Sequence, residues 1–132
     1  MTARAALFTL LAQDTALVAL GVQAVYPTNS VDTPPEACFL ILRWDAKDIA
    51  FGRTGVTRCT VWAHDRDRDY GRIAKVLQRV EDLLAGTVHR AGQDGWTLTQ
   101  ADYLGQGPDL FDSGYSTCTR YSDFQVVSRL TE

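Results

Sequence analysis

Apolar and polar positions along the chain fall into segments of two periods, and their order outlines a fold. Near the N-terminus Leu7, Leu10 and Leu11 recur at helical spacing, and Asp14 stands where it can cap a second short helix whose apolar face is Leu17, Val18 and Leu20. Gly21 closes that helix, and Val25 and Tyr26 start an extended segment that Pro27 stops. Residues 27–37 hold three prolines with Asn29, Ser30 and Asp32, the composition of an exposed loop. Residues 38–44, Cys-Phe-Leu-Ile-Leu-Arg-Trp, are dense in apolar side chains and predict a central strand largely buried on both faces. Residues 56–64 alternate instead, with Thr57, Cys59, Val61 and Ala63 opposite Val56, Arg58, Thr60, Trp62 and His64. The two strands should pair as a hairpin across a polar connection at 45–54 that carries Ile49 and Phe51 and exceeds the usual hairpin loop length.

The clearest helix spans 69–85, where Tyr70, Ile73, Ala74, Leu77, Val80, Leu83 and Leu84 trace one face. Asp67 or Asp69 can cap its first amides, and Gly86 can supply a left-handed stop. Residues 96–104 and 115–129 predict a second antiparallel pair, joined by the turn-rich stretch 105–114. Helices, strand, hairpin, helix, hairpin: this order describes an α+β fold, a mostly antiparallel sheet with helices packed on one face, in one domain covering residues 1–132.

Composition narrows the function classes. The apolar stretch near the N-terminus is broken by Thr9, Gln13, Asp14 and Thr15, so it falls short of the roughly 20 apolar residues that span a bilayer. Arg4 followed by that stretch loosely imitates a signal peptide, but the early Asp14 and the lack of a small-residue cleavage site favour the first helix of a cytosolic protein. A net charge of −3 offers no footprint for phosphate backbones, so direct nucleic-acid binding is not expected. Cys38, Cys59 and Cys118 lie far apart in strand-like segments and read as buried free thiols, with a disulfide between two of them the lesser alternative.

The one cluster that looks chemical is His64-Asp65-Arg66-Asp67-Arg68-Asp69. A histidine beside carboxylates could hold a metal or act as a base. At a strand-to-helix junction, with no second histidine nearby, the stronger reading is helix capping and solvated surface charge. His89 stands just past a helix end, Ser113, Ser116 and Ser122 lack a nucleophile-elbow pattern, and Gly105-Gln-Gly107 lies between strands with no helix to follow. No catalytic, cofactor-binding or metal-ligating residue is expected, and no cofactor. Trp62 is a large aromatic among polar neighbours, with Trp44 and Tyr121 candidates to share its face. Strand parity does not decide whether helices or a partner cover that face. Ile49 and Phe51 in one long connection, and Leu110 and Phe111 in the other, are apolar residues at predicted tips and point to docking. With Arg53 for polar orientation and Trp62, they are the candidate protein-interface residues.

Several of these pieces also resemble one family. The opening that ends in Val25-Tyr26-Pro27, the Pro34-Pro35 run before a strand, Val61-Trp62-Ala63 followed by the helix at 70–84, and the closing Arg120-Tyr-Ser-Asp-Phe-Gln-Val127 occur in the order and spacing of the tail terminator, or tail-completion, proteins of long-tailed bacteriophages. The resemblance implies a virion structural protein of the tail and neck, assembled in the host cytoplasm. It implies a ring of six copies that caps the tail tube, stops tube polymerisation and joins the tail to the head connector, with DNA passing through the lumen without specific binding. Partners would be the chain itself, the tail tube protein and the connector or stopper, with no membrane. The alternatives are a head-to-tail adaptor or stopper ring and, from another class, a small α+β ligand-binding or enzyme domain.

Overall fold

Burial of one face of a broad sheet by three helices organises the chain. The computed structural model describes residues 4–28, 37–45, 49–85, 87–91 and 95–130, the side chains of 49–51 and 87–91 excepted. In order the elements are α1 (Arg4–Ala12), α2 (Thr15–Ala19), β1 (Val22–Tyr26), β2 (Cys38–Trp44), β3 (Ile49–Phe51), β4 (Thr54–Asp65), α3 (Tyr70–Leu84), β5 (Thr87–Ala91), β6 (Trp96–Gln106), β7 (Leu110–Asp112) and β8 (Thr117–Leu130). The strands form one sheet with the spatial order β1-β2-β4-β8-β6-β5; β3 pairs with β4 and β7 with β8. Every described pairing is antiparallel except β1 with β2. The fold class is α+β, as the order of sequence patterns implied.

The central pair is β4 with β8, in continuous register from Thr54↔Arg129 to Asp65↔Cys118. Its period-2 alternation divides the molecule. Cys59, Val61, Ala63, Phe124 and Val126 join Leu40 and Leu42 of β2 beneath the helices. Residues 38–42 of β2 are buried on both faces, as their unbroken apolar run implied. On α3 the fully buried side chains are Ile73, Val76, Leu77, Val80 and Leu84, worth on the order of 10 kcal/mol gross at roughly 2 kcal/mol each. Asp69 caps α3, its Oδ1 accepting from the Arg72 amide at 3.1 Å. The expected stop at Gly86 lies outside the described residues; Ala85 is the C-cap.

Several boundaries differ from the sequence reading. Asp14 does cap α2, accepting from the Leu17 amide at 3.1 Å, but of the proposed apolar face only Leu17 is fully buried. Val18 is exposed, because a helix this short turns a single position squarely towards the core. The connection at 45–54 is not a ten-residue loop. β3 lies on the same side of β4 as β2 and returns through a tight turn at 52–53, with Gly52 at φ +59° as the first central residue of a II′-type hairpin requires. The stretch 105–114 is likewise mostly strand. β6 runs on to Gln106 and β7 continues along the same side of β8, so the reversal is confined to 113–116. Gly107 marks the break: its amide donates to the Tyr121 carbonyl at 2.9 Å, and any Cβ there would collide with the Tyr121 ring. The pattern analysis did not anticipate β5.

Asp14 also receives a two-pronged contact from Arg79 of α3, at 2.9 Å from Nε and 2.8 Å from Nη2. That hydrogen-bonded guanidinium is the main reason its carboxyl is held below the ordinary carboxylate range. One side chain thus caps α2 and ties it to α3. Replacing Asp14 by Ala should cost about 1–3 kcal/mol, more than a cap alone, measured by denaturant unfolding. Arg79→Ala should remove part of that, and the double variant should cost less than the sum of the two. Leu77→Asp is expected to abolish cooperative unfolding altogether; a soluble, cooperatively melting variant would contradict the packing.

Candidate functional site

The helix-free face of the sheet carries Phe39, Ile41 and Arg43 from β2, the even-numbered set Arg58, Thr60, Trp62 and His64 from β4, and Thr119, Tyr121 and Asp123 from β8. Trp62 lies directly opposite Tyr121, with ring centroids 4.7 Å apart. Around this pair the Thr60 hydroxyl donates to Asp123 Oδ1 at 2.6 Å, and Arg58 Nη2 approaches Asp123 Oδ2 at 3.5 Å. Together with Arg43 and Asp45 they line an open, mainly polar recess of about 390 Å3. Tyr121 therefore shares the face of Trp62 and Trp44 does not. Trp44 belongs to the helix side of β2, half-buried against the core, with the Arg4 guanidinium 5.2 Å from its ring centre.

Towards the Asp65 end, the same face closes over. Phe39 stacks on His64 at 4.9 Å, and Tyr26 and Tyr115 meet Phe39 edge-on at 6.0 and 5.7 Å. Tyr115, from the 113–116 turn, also meets His64 edge-on at 5.2 Å, and His64 Nδ1 shares a 2.8 Å hydrogen bond with Thr117 Oγ1. His64 and Asp65 are thus buried, against the expectation of a solvated charge run. The reason is that β4 continues through both residues before the chain turns, so β2 and β8 flank them. Asp65 Oδ1 accepts from the Asp67 amide at 2.9 Å, and Oδ2 lies 3.6 Å from Arg72 Nε. Beyond them the reading holds: Asp69 caps, and Asp67 and Arg68 are exposed. Among the described residues no group of three or more His, Cys, Asp or Glu side chains could hold a metal. Cys38, Cys59 and Cys118 are free and buried, and burial pushes the Cys38 thiol up to about 12.

The structure distributes the interface candidates instead of gathering them. Ile49 and Phe51 lie on the backbone of β3, and their side chains fall outside the described residues. Arg53 sits in the adjoining turn and holds the end of β8: its Nε donates to the Leu130 carbonyl at 3.2 Å, and the Leu130 amide donates to its carbonyl at 2.7 Å. Trp62 stands mid-sheet. Leu110 and Phe111 are exposed on β7, with Arg68 5.1 Å from the centre of the Phe111 ring. From the register the two tips lie at opposite ends of β4, about 35 Å apart. Sequence reasoning missed Tyr103 and Leu104, which are also exposed. Both sit in an apparent strand core, on the part of β6 beyond its last described pair with β5 at Gln100.

No family model matches the chain, and no curated protein matches it. A solved structure does. A chain of the "Virion of native gene transfer agent (GTA) particle" superimposes with a TM-score of 0.76 over 97% of this chain and 95% of that one, at 18% sequence identity. The two chains share a fold essentially end to end.

Burial holds His64 down at about 4, opposed by the nearby Asp112 carboxylate. An unfolded histidine titrates near 6.5, so between those values the unfolded chain takes up a proton that the folded chain refuses. This contribution is intact above about pH 6.5 and is lost as pH falls towards 4, by up to about 3 kcal/mol at 1.4 kcal/mol per unit. Asp65, raised by burial, acts oppositely and weakens the fold as pH rises through its folded value. Urea unfolding at about pH 7 and about pH 4.5 should show a smaller acid loss for His64→Gln than for the parent chain.

Proposed function

We propose that this chain is a structural protein of a phage-like virion, and specifically a tail terminator. In this role six copies close into a ring on the end of the tail tube, stop its polymerisation and present a surface to the head connector. The observation that carries the reading is the end-to-end fold likeness to a chain of a gene transfer agent virion. The order of tail-terminator-like segments along the sequence narrows it from virion protein to terminator. Physical features agree with an assembly role. The two tips lie at opposite ends of one sheet, as a ring with a tube side and a connector side requires, and a closed ring is built from unlike patches meeting head to tail. The resident chemistry of the chain is binding chemistry: aromatic pairs, exposed apolar residues and an open polar recess.

Disrupting the gene in the source phage or particle should give abnormally long, headless tails by electron microscopy. Tails of normal length that fail to join heads would instead mark an adaptor or stopper. Normal tails on normal heads would remove the assembly role. A Phe51→Asp/Phe111→Asp chain should fold with a melting temperature near that of the parent and yet fail to complement the disruption; full particle yield would overturn the assignment of the tips.

A further inference from the structure

Five large hydrophobic side chains stand exposed among the described residues, and four of them share one edge of the sheet. Tyr103 (42% exposed) and Leu104 (50%) lie on β6, and Leu110 (39%) and Phe111 (52%) lie on β7. Both strands run along the outer side of β8. β5 covers β6 only as far as Gln100, so among the described residues no strand pairs with the outer side of β6 beyond that point or with the outer side of β7, where the Leu110 carbonyl accepts from Tyr70 Oη at 2.6 Å. The apolar groups flank this open edge on both faces. Phe111 is opposite Cys118 on the helix side, and Leu110 is opposite Thr119 on the other. Natural sheets usually blunt such an edge with lysine or proline; neither β6 from Ala101 to Gln106 nor β7 contains either, and Pro108 lies in the break between them.

We infer that the outer edge of β6 and β7 pairs with the β1 edge of a second copy of this chain, so that the sheet continues from subunit to subunit. The inference deepens the ring reading and rests on it. Three observations select this occupant. β1 is the opposite end of the same sheet, and its five residues, Val-Gln-Ala-Val-Tyr, are uncharged and free of proline. Pairing unlike edges is a heterologous contact, the kind that closes rings. Charge at the two edges is complementary in part: Asp102 and Asp112 stand on the outer edge, with Asp109 paired to Arg120 and Arg68 set against Phe111, whereas Arg4 and Arg43 lie near the end of β1 with Asp45. The four side chains leave on the order of 350 Å2 of apolar surface open. That is too little for an obligate dimer core and suits the apolar centre of an interface of about 800 Å2 per partner.

The test uses the full chain carrying Gln23→Cys and Leu104→Cys, both exposed positions, with a short bis-maleimide that tolerates a residue or two of register. The native cysteines are buried and do not compete. A chain with both changes should give a ladder of covalent multimers, in purified protein or in assembled particles. A mixture of the two single variants should stop at a 23-to-104 dimer, and each single variant alone should give none. Adding Phe111→Lys to the double-cysteine chain should cut the linked fraction by about tenfold while the melting temperature stays near that of the parent. A dimer from Leu104→Cys alone would mean that the edge pairs with itself and would overturn the inference. So would particles with normal tails and no 23-to-104 link, which would leave the virion role standing; that role is read separately, from tail length after gene disruption.

Discussion

The register of β4 against β8 is the constraint on which the other features rest. The two strands match residue for residue over the whole of β4, and each lies inside the sheet with a neighbour on its far side. A slip by one residue would exchange the faces. With β4 held in place, Phe124 and Val126 of β8 would turn away from the helices, and Tyr121 and Asp123 would be forced towards them. Large penalties therefore oppose any other pairing, and the sheet has a single way to present its polar, aromatic face. The recess around Trp62 and Tyr121 follows from the same register, because Trp62 is directly opposite Tyr121 and Thr60 directly opposite Asp123.

The parts legible in the sequence were those in which a long period repeats. The face of α3, the alternation of β4 and the buried run of β2 each present several side chains that report the same environment, so one exception changes little. The short pieces were not legible. In α2 only five residues are helical, and one turn cannot distinguish Val18 from Leu17 as the inward position. β3 and β7 have three residues each and are held by pairing with β4 and β8, not by their own pattern. Glycine and proline near them mimic loops, but Gly52 makes a tight turn and Gly107 makes room for a ring. In both outer partners an interrupted strand was read as one long loop.

Burial at the end of β4 was hidden for a different reason. His64 to Asp69 is a charge run by composition, and composition cannot say where a strand stops. Two more residues of strand suffice to bring His64 beneath Tyr115 and to set Asp65 between Cys38 and Cys118 on neighbouring strands. The neutral state enforced on His64 and the raised pKa of Asp65 are then consequences of topology. They act on stability in opposite directions as pH changes, and neither requires a catalytic task.

The candidate site divides in the same way. Exposed apolar residues in apparent loops were recognisable as docking groups, whereas Tyr103 and Leu104 were concealed within a strand. They lie beyond the last pair that the short β5 makes with β6, a relation between two segments that no local pattern contains. The outer side of β6 and, past the break at Gly107, that of β7 follow one another along β8. At the opposite end of the sheet, no strand among the described residues pairs with the outer side of β1, and its five residues are uncharged. Among the described residues the sheet order ends at β1 and β5, with the outer side of β6 beyond Gln100 unpaired as well, and under the inferred contact each added copy would regenerate the same free edge. Such growth closes into a ring when the rotation between copies closes and otherwise runs on as a filament. Under the proposed ring reading Leu110 and Phe111 then belong to the contact between copies, and of the two tips the one at β3, at the far end of β4, remains for a different neighbour.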